Sequence, residues 1–163
     1  MIYIVSSIQK SDRGLGHKND LLYKIPDDMR RFKDLTLGHP VIMGRRTWES
    51  LPEKFRPLPN RTNIVVTSLD HGEFPGAVVV KTIEEALEYG KKIDENIAVI
   101  GGARIFEEAL PYTDILCLTE IEGHKDADVY FPEYKKDFIE SNRVGPFRSA
   151  DGAEYYFVDY KKK

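Results

Sequence analysis

The sequence predicts an α/β fold, a mainly parallel sheet covered by helices on both faces, with antiparallel strands added at the end of the chain. Two observations lead there. Strand-like apolar runs alternate with helical segments from the N-terminus to residue 121, and strands exchanged with helices call for a parallel sheet buried on both sides. The last quarter changes character: D-F-I-E-S and A-E-Y-Y-F-V-D-Y read as two antiparallel strands joined by a loop containing Gly145 and Pro146. With 163 residues the chain holds one domain, spanning 1–163, with a sizeable core, and is too short for two ordinary ones.

Taken in order, residues 1–9 (M-I-Y-I-V-S-S-I-Q) read as the first strand, because no basic lead or cleavage region marks a signal peptide. Residues 10–24 read as a polar loop, unusually long for a strand-to-helix connection. With Gly14 and Gly16, directly after the first strand's carboxyl end, it suits an active-site lid better than a surface excursion. A helix follows at 26–36, with Pro26 where the first turn tolerates it and two acids near the positive end of the dipole. Then come a strand at 40–44 (P-V-I-M-G), a short helix at 45–51, and strands at 62–67 (T-N-I-V-V-T) and 77–80 (A-V-V-V). A helix at 83–92, a strand at 97–102 (I-A-V-I-G-G), a helix at 103–110 and a strand at 114–121 complete the alternation. No repeat, low-complexity tract or linker interrupts it.

Composition narrows the function classes. With 41% hydrophobic and 31% charged residues the balance is that of a soluble globular chain. A net charge of -3 gives no reason to expect a nucleic-acid surface, and runs such as Ile2–Val5 and Ile64–Val66 are too short to span a bilayer. Cys117 is the only cysteine, so no intramolecular disulfide forms and the chain fits a reducing cytoplasm. No metal site is expected, and a monomer is.

Four constellations carry chemistry. In I-P-D-D-M-R-R-F-K-D-L, residues 25–35, Asp28 lines up with Ile25, Phe32 and Leu35 on one apolar stripe. Asp27 instead lines up with Arg30 and Arg31, as a solvated ion pair. A carboxylate facing an apolar pocket loses solvation. A ligand offering paired N–H donors, as an aminopyrimidine does, makes it tolerable there. The bland alternative is a first-turn acid that merely favours the dipole.

In P-V-I-M-G-R-R-T-W-E-S-L, residues 40–51, a strand breaks at Gly44 into a helix that begins with Arg45, Arg46 and Thr47. Arginines there oppose the macrodipole unless an anion binds, so phosphate recognition is the better reading than a basic surface turn. V-I-G-G-A-R-I-F, residues 99–106, again runs from strand through glycines into helix. Gly101 and Gly102 fit either close approach to a ligand or a tight turn. R-P-L-P-N-R, residues 56–61, stiffens a segment carrying Arg56 and Arg61, either solvated or poised for a substrate carboxylate.

These segments, with D-A-D-V-Y-F-P at 126–132, together resemble dihydrofolate reductase in order and spacing over nearly the whole chain. The resemblance implies a three-layer α/β/α fold on an eight-stranded, mostly parallel sheet with an antiparallel C-terminal edge strand. It implies reduction of 7,8-dihydrofolate by hydride transfer from NADPH. Asp28 then stands at the family's pterin-binding carboxylate, supported by Thr119. Val5 and Ile100 would offer backbone carbonyls, Met29, Phe32, Leu51 and Leu58 would wall the pocket, and Arg61, assisted by Arg56, would take the glutamate tail. On the cofactor side it implies Ser7, Gly14, Leu15, Gly16 and Leu21 by the nicotinamide, and Gly44, Arg45, Arg46 and Thr47 at phosphates. Thr67 and Ser68 would meet the 2′-phosphate, Lys81 the adenine side, and Gly101, Gly102, Ala103, Arg104, Ile105 and Phe106 the pyrophosphate. The Gly101–Gly102 peptide is expected to be cis.

The chain departs from the family pattern in four places. Leu21-Leu22-Tyr23 replaces L-P-W, so Tyr23 stands for a tryptophan that holds an ordered water. Phe106 stands where tyrosine is frequent, Ser6-Ser7 replaces an alanine-rich pair, and Asp70 follows Thr67-Ser68, where an acid suits a free ribose hydroxyl. The rivals are an NADPH-dependent pyrimidine reductase of riboflavin biosynthesis, a non-catalytic dinucleotide-binding module and a pure interaction protein. The last leaves both arginine sites without a purpose.

Overall fold

The computed structural model describes residues 1–69 and 72–163. Its main sheet takes six strands that run parallel: β1 (Ile2–Gln9), β4 (Val41–Gly44), β5 (Asn63–Val66), β6 (Val78–Val80), β7 (Ile97–Gly101) and β8 (Ile115–Ile121). The hairpin β10 (Phe138–Arg148) and β11 (Glu154–Lys162) completes it in the order β10-β11-β8-β1-β7-β4-β5-β6. β11 runs antiparallel between β8 and β10, which leaves β10 as the edge.

Chain direction decides the layers. Crossovers that step toward β6 carry α1 (Pro26–Thr36) and α2 (Arg45–Ser50), and those that step back carry α3 (Ile83–Lys91) and α4 (Ala103–Ala109). Right-handed connections therefore put the two sets on opposite faces. One core packs Ile83, Ala86, Leu87, Ile105 and Phe106 against Ile4, Ile42, Val99 and Leu118. The other packs Phe32, Leu35 and Trp48 against Tyr3, Val5, Met43 and Ala98. The alternation of Ile2 and Ile4 with Tyr3 and Val5 feeds both, as the two-residue strand period requires.

Two local expectations need correction. The segment 10–24 is not a plain loop: β2 (Gly14–His17) and β3 (Asp20–Leu21) pair with each other, and β2 pairs with β9 (Val129–Tyr130), in a separate three-stranded sheet. Lys18 and Asn19, at φ of 51° and 60°, reverse the chain between them, and two left-handed residues are what a tight hairpin turn needs. Gly16 is required here, since a Cβ would lie 2.5 Å from the Asp20 carbonyl oxygen.

Gly145 and Pro146 lie inside β10, not in a loop. The ladder with β11 shifts register between Val144 and Phe147, so the proline's missing N–H falls at an irregularity on an edge strand, where it is tolerated. The reversal comes later, where Ala153 O accepts from Ser149 N at 2.8 Å and Gly152 takes a φ of 93°. Cys117 is buried, and burial pushes its thiol up to about 11, so it is held protonated near neutrality.

Candidate active site

β1 and β7 lie side by side, yet the chain leaves them on opposite faces, toward α1 from β1 and toward α4 from β7. The register between them ends at Ile4 opposite Val99. Beyond it the pairing stops, and Val5 and Ile100 stand at the mouth of the resulting crevice. Such a switch point at the carboxyl ends of parallel strands is where open α/β sheets bind ligands.

One wall is α1. Its inward stripe is the one the spacing predicts: Ile25 is buried, and Phe32 and Leu35 pack into the core. Asp28 is half-buried on that side, and its Oδ1 accepts from Thr119 Oγ1 at 2.5 Å. Burial raises the Asp28 carboxyl above its ordinary value, while the Thr119 hydrogen bond and the Arg31 charge pull it back down. Asp27 faces outward, paired with Arg30 at 3.4 Å. Leu58 is buried and Leu51 half-buried beside this wall, whereas Met29 is 58% exposed.

The two arginines of the R-P-L-P-N-R segment part company. Arg61 is held by two acceptors, Pro59 O at 2.9 Å from Nε and Thr36 Oγ1 at 3.0 Å from Nη1, and burial lowers its pKa. Arg56 spends its guanidinium on backbone, donating to Leu51 O at 2.7 and 3.1 Å and to Glu49 O at 3.1 Å. It therefore closes the end of α2, satisfying carbonyls a short helix leaves open.

The other side of the crevice is built from the starts of α2 and α4. Gly44 and Gly102 occupy the N-cap positions, and neither helix start is capped by a side chain. Arg45 and Arg46 are exposed, Arg45 lying 3.7 Å from Glu49, and Arg104 lies 3.6 Å from Glu108. Thr47 faces the glycine pair: a Cβ on Gly101 or Gly102 would meet its Oγ1 at 3.4 or 3.5 Å. The Gly101–Gly102 peptide is cis, and Gly101 has a φ of 127°. Phe106 and Ile105 are buried beneath it, and Ala103 is half-buried. Two successive residues without side chains thus leave backbone exposed at the start of α4, beside Thr47.

Further along the sheet, Thr67 is buried with its Oγ1 accepting from Leu69 N, Ser68 and Lys81 are exposed, and Lys81 N donates to Glu85 Oε2. Asp70 lies outside the described residues. Ser7 is half-buried near the carboxyl end of β1. Gly14 and Gly16 are buried, Leu15 packs against the core, and Leu21 is 53% exposed.

Three features escaped the sequence reading. Arg31 does not join Asp27 at the surface: its Nη2 lies 3.0 Å from Asp159 Oδ1, and its guanidinium covers the Phe157 ring at 4.6 Å. Its spacing of three from Asp28 was the available signal. Thr36, whose hydroxyl receives Arg61, gave none. Gln9 is also buried: its amide oxygen accepts from Tyr23 Oη at 2.5 Å and Lys125 N at 2.8 Å, and its amide nitrogen donates to Asp12 Oδ1 and Lys125 O. Tyr23 is thus committed to holding the 10–24 segment against residues 121–125.

Known proteins resemble this chain in sequence and in fold. A family model described as dihydrofolate reductase matches residues 1–162. The dihydrofolate reductase of Bacillus subtilis (strain 168) is 39% identical over 155 residues, 94% of this chain and 90% of that protein. That of Neisseria gonorrhoeae is 39% identical over 150 residues, 91% of each. Among solved structures, dihydrofolate reductase from Enterococcus faecalis complexed with NADP(H) and RAB-propyl superimposes with a TM-score of 0.90 at 27% identity, covering 100% of this chain and 96% of that one. With a family model over nearly its whole length, relatives matched over nine-tenths of it and a superimposable fold, the chain belongs to the dihydrofolate reductase family.

Proposed function

We propose that this chain, as one domain, reduces 7,8-dihydrofolate to 5,6,7,8-tetrahydrofolate, taking hydride from NADPH. The observation that carries the reading is Asp28: a half-buried carboxylate, hydrogen-bonded by Thr119 and set among apolar side chains on the crevice wall. Bound NADPH supplies the hydride that goes to pterin C6. Everything else falls to the protein as positioning and electrostatics.

Asp28 receives the paired N–H groups of the pyrimidine edge, which fixes the ring's orientation. That edge is remote from N5, where the proton is needed. Asp28 therefore orients the ring and favours N5 protonation through water, and does not deliver the proton itself. Val5 and Ile100 offer carbonyls at the crevice mouth, and Phe32, Leu51, Leu58 and the rim residue Met29 exclude water from the pterin. Arg61, held by Pro59 and Thr36, meets the tail carboxylate, while Arg56, spent on the Leu51 and Glu49 carbonyls, assists only by holding the end of α2. The Gly101–Gly102 cradle with Ala103–Phe106 holds pyrophosphate, and Gly44 to Thr47 hold phosphates. Thr67 and Ser68 would meet the 2′-phosphate and Lys81 the adenine side, and Ser7 with the 14–21 segment would lie by the nicotinamide. The enzyme acts as a cytoplasmic monomer with small-molecule partners alone.

The test follows NADPH oxidation with dihydrofolate across pH in wild type, Asp28→Asn and Asp27→Asn. The expected result is a collapse at neutral pH in Asp28→Asn alone, with part of the activity regained in acid, where substrate arrives already protonated. A pH-independent loss would sink the water-mediated role. Absent wild-type turnover with NADPH still bound would return the pyrimidine reductase or the silent binding module.

A further inference from the structure

Asp28 has a neighbour that the proposed chemistry does not yet use. Arg31 sits one helical turn on, on the same side of α1, and is directed into the fold rather than toward solvent. Three contacts on three residues fix its guanidinium. Nη2 is 3.0 Å from Asp159 Oδ1 on β11, Nη1 lies 3.4 Å from Leu118 O on β8, and the plane covers the Phe157 ring at 4.6 Å. Leu118 immediately precedes Thr119, the donor to Asp28. Both carboxylate and guanidinium are thus referenced to the same stretch of β8.

The charges around Asp28 can be enumerated by element. From α1 come Asp27, neutralised by Arg30 at 3.4 Å, and Arg31. From β8 come Thr119 and the protonated thiol of Cys117. From β11 come Tyr155, whose hydroxyl reaches Asp27 Oδ2 at 3.3 Å, and Asp159. Of the two cations in this set, Arg30 is spent on Asp27 at the surface, while Arg31 lies one turn from Asp28 and is anchored beside Thr119.

We infer that Arg31 is a positioning residue for Asp28: held by Asp159, Phe157 and the Leu118 carbonyl, it is the fixed counter-charge that lets a carboxylate persist in the crevice. Asp159 in turn attenuates that charge. The direction of the Arg31 effect on the Asp28 carboxyl, downward against burial, agrees. The two partners must therefore act on Asp28 with opposite signs. This rests on the reading of Asp28 as the substrate carboxylate, but its first readout does not need substrate.

The experiment is a ¹³C-carboxyl NMR titration of Asp28 in the substrate-free protein, its resonance assigned by loss in Asp28→Asn. It is run for wild type, Arg31→Met, Arg31→Lys and Asp159→Asn, with KM for dihydrofolate measured across pH alongside. Arg31→Met should move the Asp28 midpoint upward, Asp159→Asn should move it downward, and Arg31→Lys should stay below Arg31→Met. The acid rise in KM should follow, starting at higher pH in Arg31→Met and at lower pH in Asp159→Asn. An unmoved midpoint in Arg31→Met, or a move of the same sign in Asp159→Asn, overturns the inference and leaves Arg31 a packing clamp. If Arg31→Met does not fold, the Asp159→Asn shift alone decides. Opposite midpoint shifts without wild-type turnover would keep the counter-charge and discard the reductase reading.

Discussion

Thr119 on β8 donates its hydroxyl hydrogen to Asp28 on α1, across 2.5 Å. One hydrogen bond thus joins the helix that carries the crevice's carboxylate to the sheet that positions it, 91 residues away in sequence. The bond stabilises the ionised acid while burial opposes it, and burial is the larger influence.

A stability consequence follows from that sign. With its folded pKa raised, Asp28 holds a proton in the fold at pH values where the unfolded chain has released it. Stability therefore falls as pH rises from the ordinary carboxylate range through the folded midpoint, and stays lowered above it. Asp28→Asn should be more stable than wild type at neutral pH, and the advantage should shrink to nothing in acid. Urea denaturation at several pH values measures it, and an advantage that grows in acid would refute the sign.

Arg61 and Arg56 should separate cleanly. On the proposed reading Arg61→Ala should remove a charge-assisted contact to the substrate tail, an effect of about 2 kcal/mol, or roughly thirtyfold in KM with kcat nearly unchanged. Arg56→Ala removes three hydrogen bonds to backbone carbonyls, so its cost, about 1–2 kcal/mol, should show as lost stability with a smaller change in KM. Steady-state kinetics and denaturation on both variants check the division.

The glycine pair should also split. Gly101 sits at a φ of 127°, so Gly101→Ala should cost about 1–3 kcal/mol of stability through backbone strain. Gly102 has an ordinary φ of -83°, and a Cβ there meets only Thr47 Oγ1 at 3.5 Å. Gly102→Ala should fold normally yet weaken NADPH binding by about tenfold, near 1.4 kcal/mol. Calorimetric titration of NADPH distinguishes the two.

Tyr23→Phe keeps the ring packed with Ile25, Ile121 and Tyr155 and removes only the hydroxyl donated to Gln9. It should cost about 1 kcal/mol, and amide exchange of Gly14 and Gly16 should quicken. Gly123→Ala attacks the same contact from the other side, because a Cβ there would fall 1.9 Å from Tyr23 Oη. It should destabilise more than Tyr23→Phe, and combining it with Tyr23→Leu should recover part of the loss.

The sequence by itself determined what is local. The inward face of α1 follows from the spacing of Ile25, Asp28, Phe32 and Leu35. The strand-to-helix breaks at Gly44 and at Gly101–Gly102 follow from where glycines end apolar runs. Even the antiparallel finish was legible in its alternation. Only the tertiary structure decided which long side chains meet. Arg31 has Asp27 as its helical neighbour and Asp159 as its spatial one, and the fold chose the second because β11 lies under α1. Gln9 tied to Tyr23 and Lys125, Thr36 under Arg61, and β2 paired with β9 are likewise contacts between distant segments. Short-range periodicity records which face a residue occupies, but not what the rest of the chain brings to that face.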